Sequence, residues 1–388
     1  MADQITAYAR ILAAKYGNDN PWIPHNAFTE AERIRFYRDV HTLASSARGR
    51  RPQLAGHRRA LRAVNLPRLQ PERRATLLED CIRPLAEAGV DAAIHNGCDG
   101  WALPLDRERL RHGGVQCLER GGQEYLVDTS LWREAWPEEE LQQIERRMAE
   151  MDWFPLAWLN YPKDLMEPQT PGFVGGHISH VEVWRWALSS GLDWVMVLED
   201  DATPSRGFGL AWTDIWHVVD QQVAELVEAG VPWDILYVGH TPSYTREGRE
   251  VTPLIVATGY CLRTHSYCLS RQGLRKLLSS QVASRVTHRP QDEVLASLAL
   301  LAAGLQHPRA DFDAVLREMA PSEPWLALAF KGDGLVSQLE DQEDSSRARS
   351  NTAAAGSARA AEGCRQARQQ THESRPLASE AVTWEIVD

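Results

Sequence analysis

Residues 194–204 read Trp194-Val195-Met196-Val197-Leu198-Glu199-Asp200-Asp201-Ala202-Thr203-Pro204: five apolar residues, then three carboxylates side by side. An apolar run without alternation fits a strand whose two faces are both covered by helices. In open α/β sheets ligands collect at the carboxyl ends of the strands, which is where Glu199, Asp200 and Asp201 fall. Adjacent acids repel unless a cation or hydrogen bonds compensate them, and hard divalent ions prefer oxygen ligands of this type. The bland alternative is that two of the three point to solvent and cap the next turn. The buried strand, the repeated acid and the Ala-Thr-Pro turn favour a metal–diphosphate site.

Outward from this stretch the chain keeps an α/β rhythm. AVNL is a short strand, ERRATLLEDCIRPLAEAG a helix stopping at Gly89, and VDAAIHN another strand. GGHISHVEVWRWALSSG is a helix ending at Gly191. WDILYVGH is a second buried strand, SYCLS with RQGLRKLLSS repeats strand then helix, and PQDEVLASLALLAAG is a helix opened by Pro290. Residues 101–171 interrupt the rhythm: GVQCLERGGQEYLVD reads as a hairpin turning at Gly121-Gly122, and PEEELQQIERRMAEM as a charged helix. Residues 1–61 read as a helical extension followed by a basic linker. Residues 340–388 are dominated by Ala, Ser, Arg, Glu and Gln and read as a mostly disordered tail.

Composition narrows the partners. Across 388 residues the net charge is -11, which argues against binding nucleic acid through its phosphates. A phosphate held locally by a metal is compatible with an acidic chain, because the ion supplies the positive charge. The basic segment 48–62 reads as a solvated linker, with peripheral contact to anionic lipid as the sharper alternative. Six cysteines without a CxxC pair or zinc spacing read as free thiols in a reducing, cytoplasmic setting. The first residues carry Asp3, Arg10 and Lys15 and are not expected to form a signal peptide, nor is a membrane span expected.

A strand ending in LEDDA, preceded by a helix with G-x-x-G-x-x-x-SH and a Trp, resembles glycosyltransferase family 25, which includes bacterial lipopolysaccharide and collagen galactosyltransferases. AVNLPRLQPERRATLLEDCIRPLAEAGV resembles the family's opening strand and Arg-containing helix, and AIHNGCDG its next strand ending in Asp-Gly. LYVGH, THSYCLSRQGLRKLL and PQDEVL are similar to its later elements, in the family's order, within residues 62–339. The resemblance implies a GT-A-type (Rossmann-like) mixed sheet flanked by helices. It also implies a UDP-hexose donor, galactose above all, a glycan or lipid-linked saccharide acceptor, and dependence on Mn²⁺ or Mg²⁺. Two departures stand out: Phe173 occupies the position of a usual Glu, and Gly176 that of a usual Cys.

Residue by residue, the resemblance implies that Asp201 ligates the metal while Asp200 holds the ribose or the metal and its waters. Glu199 is read as ending the strand. Asn65, Arg68 and Arg73 stand where backbone amides and guanidinium groups meet a nucleotide. Asp99 and Gly100 are expected to contact uracil or ribose, Ser179 and His180 to lie against the donor, and His265 to ligate metal or touch the acceptor. Asp292 is the candidate base for the acceptor hydroxyl, with Glu293 in reserve, although acids in a first helical turn also favour the helix dipole. Trp158, Trp212, Trp216 and Trp325 are candidates for a sugar-stacking face, against the commoner outcome of a buried Trp. Two other readings stay open. One is a catalytically degenerate GT-A-like binding module. The other is a nucleotidyltransferase, which the glycine-free NLPRLQ segment disfavours.

Overall fold

The computed structural model describes residues 30–47, 56–66, 70–130, 170–240, 250–258 and 261–338, apart from positions 112, 206–207, 262, 288, 303, 305, 308–309 and 333. Arg68, Trp158, the charged helix expected near 137–151 and the tail 340–388 lie outside them.

Helix α1 (Glu30–Ala47) is followed by β1 (Arg59–Asn65), α2 (Pro71–Thr76), a π-helical turn over Leu77–Ile82, α3 (Arg83–Glu87) and β2 (Ala92–Asn96). A short α4 (Arg107–Arg111) leads to the hairpin β3 (Val115–Arg120) and β4 (Gln123–Asp128). Next come α5 (Thr170–Ser189), β5 (Trp194–Glu199), β6 (Ala202–Pro204), α6 (Trp212–Glu228), β7 (Ile235–Gly239) and β8 (Ile255–Ala257). The described chain closes with β9 (Ser266–Ser270), α7 (Arg271–Ser279), β10 (Arg285–Thr287), α8 (Gln291–Ala302), α9 (Ala310–Met319), β11 (Ala327–Phe330) and β12 (Val336–Gln338).

Seven strands form one mixed sheet in the order β2-β1-β5-β9-β7-β11-β8. β1 pairs in parallel with β2 and β5, and β7 in parallel with β11. β9 runs antiparallel to both β5 and β7, so the expected strand-then-helix repeat is present but its strand is reversed. Alternate residues of β5 feed two different cores. Trp194, Met196 and Leu198 pack with α1, the α2–α3 segment and α6 on one face. Val195 and Val197 pack with α5, α7, α8 and α9 on the other. This two-sided burial accounts for the unbroken apolar run in the sequence.

The N-terminal helix joins the first of these cores. Phe36, Tyr37, Val40 and Ala44 recur at helical spacing and are buried, and Tyr37 meets Phe208 edge-on at 4.4 Å between ring centroids. β1 begins at Arg59, inside the segment expected to be a solvated linker. Arg59 pairs with Asp220 at 2.7 Å, and the Arg62 guanidinium lies over Trp186. Trp212, Trp216 and Trp325 are buried, with Trp216 stacked on Trp194, so none of the three offers a sugar-stacking face.

The helix expected to end at Gly89 carries a wide turn at its centre. Pro84 has no N–H to donate, and its ring crowds the carbonyl four residues back. The preceding turn is π-helical, with the Arg83 N–H bonded to Leu78 O. The turn also changes the helix phase. An uninterrupted α-helix, at about 3.6 residues per turn, would carry Leu85 roughly 120° away from Arg73. Here Arg73, Leu77, Cys81 and Leu85 are all buried.

Candidate functional site

The expected site residues gather at the carboxyl ends of β1 and β5, beside the start of β9. Asn65, the last residue of β1, donates from Nδ2 to Asp200 Oδ2 at 2.9 Å. Arg73 reaches in from α2 and donates to Asp200 Oδ1 at 3.0 Å. Burial raises the Asp200 pKa and the Arg73 and Asn65 contacts work against it; the net shift is upward. Asp200 is thus compensated by a guanidinium and an amide. Arg74 extends the network, donating to Asn96 Oδ1 at 3.0 Å and so joining the ends of β1 and β2. The sequence reading had passed over both Arg74 and Asn96.

A second cluster centres on Glu199. Thr264 donates from Oγ1 to Glu199 Oε1 at 2.8 Å, and His180 Nε2 faces the same oxygen at 3.6 Å. Burial works to raise the Glu199 pKa, but contact with His180 and Thr264 outweighs it and the carboxyl sits below its usual range. Asp292, in the first turn of α8, accepts the Arg263 backbone N–H at 3.1 Å and the Glu293 backbone N–H at 2.8 Å. Burial, together with the negative charges of Glu199 and Glu293, pushes Asp292 up to about 6. A carboxylate of that basicity near neutral pH suits proton transfer. Arg263 and Thr264 are adjacent, so the carboxyls they hold, Asp292 and Glu199, come near one another, a relation that reading Glu199 as a strand terminator misses.

Several of the expected site residues make contacts within the scaffold. Ser179 is buried; its Oγ donates to Gly175 O at 2.7 Å and accepts the Cys98 N–H at 2.7 Å, fastening α5 to the loop after β2. Asp99 accepts the Trp101 N–H at 3.0 Å as the cap of a short turn. Gly100 lies so close to α5 that a Cβ there would run into the Pro171 carbonyl. Glu293 is directed away from Asp292 and into a buried group with Arg289, at 3.1 Å, and His307, at 3.4 Å.

His180 and His265 are both buried. Both ring nitrogens of His180 face protein groups, Nδ1 at 2.7 Å from the Tyr267 hydroxyl and Nε2 at 3.6 Å from Glu199 Oε1. His265 Nε2 donates to Val336 O at 3.0 Å, and burial lowers its pKa to about 4. Gly176, at the position of the usual cysteine, is exposed and faces open space, so packing does not demand a glycine there.

No model of a known protein family matches the chain. It is 32% identical over 183 residues to the probable inactive glycosyltransferase 25 family member 3 of Bos taurus, covering 46% of this chain and 28% of that protein. It is 24% identical over 185 residues to the procollagen galactosyltransferase 2 of Homo sapiens, covering 46% and 27%. With the procollagen galactosyltransferase 1-B of Xenopus laevis it shares 30% identity over 131 residues, 33% of this chain and 20% of that protein. The chain spans under a third of the length of each of these relatives.

Proposed function

From a chain that is a relative of glycosyltransferase family 25 over its matched stretch, we propose a nucleotide-sugar-dependent glycosyltransferase of GT-A fold. It would transfer a hexose, galactose first among candidates, from a UDP donor to a glycan or lipid-linked saccharide acceptor. The observation that carries this reading is that Asp292 and Glu199 accept from adjacent residues, Arg263 and Thr264, while Asp200 is held by Arg73 and Asn65, at the carboxyl edge of a mixed sheet. In this reading Asn65 and Arg73 set the wall against which the nucleotide lies. Asp292 takes the proton from the acceptor hydroxyl as the new glycosidic bond forms and the bond from the anomeric carbon to the diphosphate breaks.

A divalent ion, Mn²⁺ or Mg²⁺, is part of the proposal. Among the described residues no three His, Cys, Asp or Glu side chains come together as a ready cage. Such ions are also held by one or two carboxylates completed by substrate phosphates. Asp201, with Asp200 beside it, fits that sparser donor set. In His265 the Nε2–H is committed to Val336 O, which leaves Nδ1 as a buried lone-pair nitrogen without a hydrogen-bond partner, the tautomer that a ligand requires. When bound, the ion would offset the charge growing on the departing diphosphate.

The second reading is a binding module that no longer transfers sugar. It is favoured by the word inactive in the names of several relatives and by the engagement of Asp200 with Arg73. A panel of nucleotide sugars, assayed for slow hydrolysis with and without Mn²⁺, separates the two. Metal-dependent release of UDP from one sugar supports the transferase. Nucleotide binding without turnover of any sugar, with every acceptor class offered, supports the module.

A further inference from the structure

Beneath Glu199 a buried chain of polar groups crosses the core between α5 and β9. Trp184 Nε1 lies 2.9 Å from the Tyr267 hydroxyl, and the same hydroxyl lies 2.7 Å from His180 Nδ1. The His180 and Tyr267 rings are stacked at 23° with centroids 5.7 Å apart, and His180 Nε2 faces Glu199 Oε1 at 3.6 Å. Trp184 and Tyr267 are fully buried.

The hydrogen positions follow from which groups can only donate. An indole N–H has no lone pair to offer, so Trp184 must donate to the Tyr267 oxygen. A tyrosine hydroxyl ordinarily ionises only at about pH 10, so Tyr267 keeps its hydrogen at neutral pH. That hydrogen needs an acceptor, since an unmet buried donor costs about 1–3 kcal/mol. His180 Nδ1 supplies it only when bare. The ring's hydrogen then sits on Nε2, pointing at Glu199. The opposite tautomer would oppose Nδ1–H to the hydroxyl, orphan the tyrosine hydrogen and turn a lone pair toward a carboxylate.

We propose that His180 is a positioning residue: locked as the Nε2–H tautomer by Trp184 and Tyr267, it aims its N–H at Glu199 and, with Thr264, fixes that carboxylate beside Asp292. The functional part of this statement rests on the transferase reading above; the tautomer does not. A carboxylate held from two sides keeps one orientation, and so presents a constant field to the neighbouring base.

The test is ¹⁵N NMR of the 388-residue chain labelled at histidine, with His180→Gln identifying the His180 signals. Long-range ¹⁵N–¹H correlations should show Nε2 protonated and Nδ1 bare. In Tyr267→Phe, which deletes the donor to Nδ1, the Nδ1 resonance should move toward that of a bare imidazole nitrogen without a hydrogen bond. A wild-type His180 with its proton on Nδ1, or an unmoved Nδ1 resonance in a folded Tyr267→Phe, overturns the relay. If that variant does not fold, the wild-type spectrum decides alone. The kinetic arm uses whichever nucleotide sugar of the panel the wild type hydrolyses fastest. His180→Gln, whose amide can still donate toward Glu199, should keep kcat within a few-fold. His180→Ala should lose ~10²-fold in kcat with KM little changed, as expected when a reacting group is misplaced. Equal kcat losses in two folded variants would reduce His180 to a packing residue. Failure of every sugar in the panel would count against the transferase reading and leave the tautomer to decide the relay.

Discussion

Arg263 donates its backbone N–H to Asp292 Oδ2 at 3.1 Å from a left-handed conformation, φ 72°, the one positive φ outside glycine among the described residues. For an L-residue that conformation costs roughly 1–2 kcal/mol, and it persists where surrounding contacts require it. Arg263 is itself exposed.

The first prediction separates backbone from side chain. Arg263→Gly keeps the N–H and removes the steric cost, and is expected to raise stability by up to about 1 kcal/mol after the added chain entropy of glycine is deducted. Arg263→Pro removes the N–H and cannot adopt the positive φ, and is expected to lower both stability and turnover of the best nucleotide sugar. Thermal melts and initial rates of the two variants check both halves. A less stable Arg263→Gly would mean that the guanidinium matters more than the strain.

Asp292 carries a pH signature. Its pKa in the folded chain is raised from 3.8 to about 6, so the native state holds a proton that the unfolded chain has already released. This group's contribution is full below pH 3.8 and is lost as pH rises through 6, which makes stability fall across that window. Asp292→Asn should flatten the slope in denaturant titrations between pH 4 and 6. Transfer by the wild type should decline on the acid side of about pH 6, and the variant should lose ~10²–10⁴-fold at pH 7.5. A near-normal rate would end the candidacy of Asp292 as base.

The Arg73–Asp200 contact can be measured by a double-mutant cycle. Both side chains are largely buried, at 7% and 13% exposure, so Arg73→Met leaves a carboxylate in low dielectric without its cation. Breaking one partner of such a pair costs about 3–5 kcal/mol when burial is complete. Some water access here lowers the expectation to about 2–4 kcal/mol. Adding Asp200→Asn should recover most of the loss. Simple additivity of the two single variants would show that the groups do not interact energetically.

For the ion, UDP should raise the melting temperature only when Mn²⁺ or Mg²⁺ is present, because a ligand stabilises the fold through RT ln(1 + [L]/Kd). The metal-dependent increment should vanish in Asp201→Asn while the protein alone still melts cooperatively. An undiminished increment in that variant would remove Asp201 from the donor set.

Much of this architecture was legible because it is written in local pattern. The unbroken apolar run of β5 announced coverage on both faces, and the hairpin turned at Gly121 and Gly122, both with positive φ, as its Gly-Gly had suggested. The phase shift before Pro84 was not legible, since a proline marks a disturbance without saying which wider turn absorbs it. Nor was the role of Glu199. Its partners lie 19 residues before it and 65 after it in the chain, and only the reversed β9 brings Thr264 beside it. In sequence Glu293 stands only as the reserve to Asp292, with nothing to say where either side chain goes. Adjacent residues of a helix point about 100° apart, and that angle takes Glu293 to Arg289 and Asp292 to the Arg263 N–H.

The reversal of β9 divides its two flanks by consequence. Because β9 starts opposite the end of β5, Leu198 facing Ser266, the segment leading into it arrives at the same rim as the carboxylates. The segment leaving it, from Ser270 onward, departs beside Trp194 at the opposite rim. Insertions or deletions just upstream of Thr264 would therefore retune the chemistry directly, through Arg263 and Thr264. A drifting lineage, or an engineer seeking altered acceptor choice, would find its leverage in the approach to this one strand.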